Sequence, residues 1–113
     1  METVYNYLYN YFTKHKLLVP TIPLQQVNTP MLIAYIQLLK SGKELPPIQV
    51  FTQNNIDFIA SGTHEYLACL KLNKPIKIQR VDNIGLQGAR MPLMFYNEWY
   101  RAITNILTEH NEN

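Results

Sequence analysis

At 113 residues the chain has the length of one domain, and its 47% apolar content is enough to fill a core. A net charge of +2 is too small by itself to mark a nucleic-acid binder. The lone cysteine, Cys69, excludes an internal disulfide and any cysteine-based zinc site within one chain, and no apolar run approaches the ~20 residues of a spanning helix.

The first residues lack a basic region followed by an apolar stretch and a small-residue cleavage site. A soluble, cytoplasmic (intracellular) protein without a membrane partner is therefore expected, ordered except at the polar end Glu109–Asn113.

Residues 1–18, "METVYNYLYNYFTKHKLL", carry two competing periods. Tyr5, Tyr7, Tyr9 and Tyr11 alternate, while Val4, Leu8, Tyr11 and Phe12 recur at helical spacing. The helix is preferred, because Asn6, Asn10 and Thr13 then share a polar side. The tyrosine row reads as packing surface before it reads as a platform for bases.

"VPTIPL" carries Pro20 and Pro23 and suits an extended edge strand or connector. In "NTPMLIAYIQLLKSG" a helix is predicted with Thr29 as N-cap, Pro30 as first helical residue and Gly42 as left-handed stop. Leu32, Tyr35 or Ile36, and Leu39 would form its buried stripe. "LPPIQVFTQNNIDFIASG" predicts a β-hairpin over Ile48–Ala60, with Asn54-Asn55 at the turn.

A helix over His64–Leu72 follows, capped by Thr63 or Ser61, turned inward at Tyr66, Leu67 and Leu70, and closed by Asn73 ahead of Pro75. "PIKIQRV" predicts a strand over Ile76–Val81. After the loop "DNIGLQGAR", an amphipathic helix is expected over 92–108 with Phe95, Trp99 and Ile106 covered. Were those side chains uncovered, they would form an oligomer or partner surface; a homodimer is an open expectation. The predicted class is α+β, one domain spanning 1–113.

Two blocks in this order resemble a known superfamily. "SGKELPPIQV", a hairpin, and then "ASGTHEYLACLKLNKPIKIQRV" look like the superfamily shared by ParB N-terminal domains and sulfiredoxins. Pro46, Pro47, Ile48 and Val50 match its first motif. Gly62, His64, Tyr66, Ala68 and Leu72 match its second, Gly-x-His-Arg. The resemblance runs over 22–81.

It implies a ParB/sulfiredoxin-like small mixed sheet with packed helices, to which the periodicity adds N- and C-terminal helices. It also implies a phosphate- or nucleotide-binding turn at Ser61, Gly62, Thr63, His64 and Glu65. Such a turn brings backbone N–H groups and a helix N-terminus close to a phosphate.

The chain departs from the family at two positions of that turn. Thr63 stands where sulfiredoxins carry their cysteine, so the sulfinic-phosphoryl chemistry has no nucleophile. Glu65 stands where the family has arginine. At ~4 Å and an effective dielectric near 20, this exchange turns several kcal/mol of attraction for a phosphate into repulsion of similar size. The upstream helix offers mostly Leu32, Ile33 and Ile36 where the family can offer polar or basic groups. Cys69, within the helix, reads as an inert buried thiol.

His64, Glu65 and Asp57 are the candidates for acid–base chemistry. Against that, His64 could cap or pack, and Glu65 could complement the helix N-terminus. His15 and His110 show no ligand spacing with His64, so no metal site is expected.

Lys71, Lys74, Lys77 and Arg80 crowd into ten residues near a single acid, Asp82. They are the candidate DNA contacts, or else a solvated face. Three functions follow in order. The first is a ParB-like binding module in a DNA-linked process, partnered by DNA or a DNA-bound protein, with weak or lost nucleotide binding. The second is a ParB-like nuclease or nucleotide-dependent phosphoryl-transfer enzyme. The third is a protein-interaction or inhibitor protein of a virus or plasmid. No cofactor is required; CTP, ATP or Mg²⁺ would enter only with a working motif.

Overall fold

Residues 17–53, 56–81 and 93–111 are described by the computed structural model. A single 3₁₀ turn, Leu24–Gln26, precedes α1 (Thr29–Lys40), β1 (Ile48–Gln53), β2 (Ile56–Ser61), α2 (Thr63–Leu72), β3 (Ile78–Arg80) and α3 (Leu93–Asn111). The fold is α+β, a small mixed sheet with packed helices. Strand order is β2-β1-β3, with β1 antiparallel to β2 and parallel to β3.

Val50 pairs with Ile59 and Thr52 with Asp57, after an irregularity between Gln49 and Val50. Ile48 pairs with Ile78 and Val50 with Arg80. Ladder bonds from Ile48 N–H to Lys77 and from Val81 N–H to Val50 flank β3. Pairing cannot extend before Ile48, because Pro46 and Pro47 have no N–H to donate. This is why β3 begins at Ile78 and not at the Ile76 expected from its composition.

The inward side chains of the sheet, Ile48, Val50 and Ile59, meet Tyr66 and Leu67 of α2 and Trp99, Ile103 and Ile106 of α3. Each such side chain, fully buried, contributes roughly 1.5–3 kcal/mol. Leu17, Leu18 and Val19 belong to the same core. Val19 forms one parallel bridge to β2, donating to the Asp57 carbonyl and accepting from Ile59 N–H, both at 2.9 Å. The proline-flanked "VPTIPL" is thus an extended connector lying along a sheet edge.

Several local expectations shift by a residue. Asn28, not Thr29, caps α1: its side-chain oxygen accepts from Met31 N–H at 3.0 Å. Thr29 then opens the helix and Pro30 follows it, still in the first turn, where a missing N–H is tolerated.

Neither Thr63 nor Ser61 caps α2. Gly62 takes the cap position at φ 109° with no side-chain cap bond, and Thr63 is buried. The predicted α1 stripe, Leu32, Tyr35, Ile36 and Leu39, is half-buried, whereas Met31, Ile33 and Leu38 are exposed.

α3 continues to Asn111, into the segment expected to be disordered. No glycine or proline interrupts residues 105–111, so nothing stops the hydrogen-bond ladder. Trp99 and Ile106 are buried as predicted and offer no oligomer surface. The expected N-terminal helix, the Asn54-Asn55 turn, the loop from Asp82 and the Phe95 side chain lie outside the described residues.

Candidate functional site

The β2–α2 turn is built on Gly62, whose positive φ lets the chain reverse from strand into helix. Glu65, three residues later, folds back over it. Its Oε2 lies 3.1 Å from where a side-chain carbon on Gly62 would sit. The carboxylate thus occupies the space above the turn, beside the partial positive charge of the α2 N-terminus.

A second element faces it. The Tyr35 phenol of α1 is pushed above its ordinary value by the Glu65 charge, then by burial and by hydrogen bonding to Glu65. His64 is also engaged: its Nε2 accepts the backbone N–H of Asn28 at 2.9 Å. This requires an unprotonated Nε2 and spends the imidazole on the N-terminus of α1.

The candidate triad His64, Glu65 and Asp57 is not brought together. Asp57 sits four residues before Ser61 on β2, roughly 13 Å back along the strand. Its carboxylate faces Arg80 at 3.1 Å and accepts from the Thr52 hydroxyl at 2.6 Å. Arg80 also donates to Thr52 at 2.8 Å. The hydrogen bond from Arg80, then that from Thr52, holds the Asp57 carboxyl below its ordinary value against the opposing effect of burial. Ser61 is exposed at the end of β2.

The four cationic candidates part company. Arg80 turns to Asp57, while Lys77 pairs with Glu44 at 3.1 Å. Lys71 and Lys74 are exposed and have no ion pair among the described residues.

Lys74 and Lys77 border a cleft of about 250 Å³, together with Lys43, Glu44, Glu65 and Cys69. Burial, then the Glu65 charge, pushes the Cys69 thiol up, as expected of an inert cysteine. Sequence reasoning missed Lys43, which lies outside the cationic run. The signal was present in "GK" at 42–43 and "NK" at 73–74, each a left-handed helix stop followed by lysine.

Among the described residues no group of His, Cys, Asp or Glu side chains could hold a metal ion, and no helix is long and apolar enough to cross a membrane. No family model, curated protein or solved structure matches the chain significantly.

Proposed function

We propose that this chain is a ParB-like binding module acting in a DNA-linked process, without sulfiredoxin activity and with nucleotide binding weak or lost. One observation supports the weak or lost nucleotide binding: Glu65, facing Tyr35, lies over Gly62 in the space where the resembled family receives a phosphate. An anionic ligand entering there meets a carboxylate and must displace it. His64 is given to Asn28 and, further back on β2, Asp57 is given to Arg80, so these candidate groups serve the chain itself.

A thermal-shift panel with CTP, ATP, ADP, Mg²⁺ and a short random-sequence duplex tests this, since a ligand that binds only the folded state raises its melting point. The duplex should raise it at low salt and the nucleotides should not. Glu65→Arg should improve nucleotide binding by restoring a cation at the helix N-terminus. Micromolar nucleotide binding by the wild type, abolished by that change, would overturn the reading in favour of a phosphoryl-transfer enzyme.

A second reading, a protein-interaction or inhibitor protein of a virus or plasmid, is favoured by the exposed Met31, Ile33 and Leu38 on α1. It takes the lead if no duplex binding is found.

A further inference from the structure

The two helices α1 and α2 lie side by side and point the same way. Asn28 at the start of α1 meets His64 at the start of α2, Tyr35 meets Glu65 further on, and Leu39 and Cys69 line one cleft. Both helices then stop alike. Gly42 and Asn73 take left-handed conformations at φ 85° and 53°. Lys43 N–H returns to Leu38 at 3.1 Å, and Lys74 N–H returns to Cys69 at 2.9 Å. The same stop used twice, in parallel, places Lys43 and Lys74 on the rim of one cleft, with Lys77 beside them.

The charge there can be counted. Lys43, Lys74 and Lys77 give +3 and Glu44 takes one back, leaving +2. Two helix C-termini contribute roughly −0.5 each, so the rim carries about +1. Glu65 lines the same cleft, and its own helix N-terminus offsets only about half of its charge, so the surplus falls to about +0.5. So small a surplus leaves room for at most one singly charged anion and is too weak for the multiple charges of a triphosphate.

We infer that Lys43, Lys74 and Lys77 together hold one phosphodiester of a nucleic-acid backbone at this cleft. The inference rests on the DNA-linked reading above and gives it a contact point. It is an unspecific contact, because phosphates position a strand and carry no base information.

The test is the salt dependence of binding to a random-sequence duplex, measured by fluorescence anisotropy on the full chain. Each neutralised phosphate contributes about 0.9 to the slope of log affinity against log salt. Three lysines sharing one phosphate contribute that amount once. Lys43→Gln alone should weaken binding, and the triple change Lys43→Gln, Lys74→Gln, Lys77→Gln should lower the slope by about one unit. Arg101→Gln, on the exposed side of α3, should leave it unchanged, and Lys43→Arg should preserve binding.

A slope loss of two to three units means separate contacts and overturns the shared site. Unchanged binding in the triple variant, with only a lower melting temperature, means the lysines merely complement the helix ends and also overturns it. Equal binding of poly-glutamate overturns the nucleic-acid assignment. In those three cases the wild type still binds a polyanion; no duplex binding by the wild type defeats the DNA-linked reading as well.

Discussion

Asp57 shows how a candidate catalytic acid can be absorbed into structure. Paired across the strands with Thr52 and reached by Arg80 from β3, it ties all three strands together on one face. Its folded value is lowered, so the stability it adds is present above the ordinary carboxylate value of ~3.9 and is lost as pH falls through the lowered one. Asp57→Asn should therefore be less stable than wild type at pH 7, and urea titrations should converge near pH 2. A difference that persists there would mean the carboxylate charge is not the cause. Cys69 makes the complementary case. With its thiol buried and its ionisation opposed, a disulfide reagent at pH 8 should label the native protein only as fast as it opens. Immediate native labelling would contradict the burial.

Helix ends show what local sequence can and cannot specify. The stops at Gly42 and Asn73 were legible because few residue types enter left-handed backbone. The hairpin over Ile48–Ala60 was legible because alternation is a local signal. The α1 cap was displaced because Asn28 and Thr29 are both competent and only geometry chooses. The candidate site was least legible, since Tyr35–Glu65, Asn28–His64 and Asp57–Arg80 join residues that no local pattern connects. The two glycines separate strain from space. A side-chain carbon on Gly42 meets nothing within 4 Å, whereas one on Gly62 meets Glu65 at 3.1 Å and the Ile48 backbone at 3.3 Å. Gly42→Ala should cost about 1 kcal/mol for the positive φ alone. Gly62→Ala should cost at least about 1 kcal/mol more, because the sheet backbone must give way. Equal losses in urea denaturation would show that the turn has room to relax.

At the scale of the molecule, a short connector holds the layers together. Leu17 to Ile22 adds Val19 to the sheet edge, gives Leu18 N–H to the Tyr66 hydroxyl at 3.0 Å, and offers the Ile22 carbonyl to Trp99 Nε1–H at 2.7 Å. Thr21 adds a bond to the Ile59 carbonyl at 2.7 Å. Sheet, α2 and α3 are therefore each fastened to the same six residues. Tyr66→Phe leaves the buried Leu18 N–H unpaired, and Trp99→Phe leaves the Ile22 carbonyl short of its donor. Each should cost about 1–3 kcal/mol, a large part of the ~5–15 kcal/mol that holds a domain folded. Because both bonds restrain one segment, the first loss frees part of what the second would have removed. The double variant should thus lose less than the sum of the two single losses, by at least about 0.5 kcal/mol. A double-mutant cycle in urea measures this directly. Additive losses would mean that the segment is fixed by its sheet bridge alone, and that α2 and α3 are fastened to it independently.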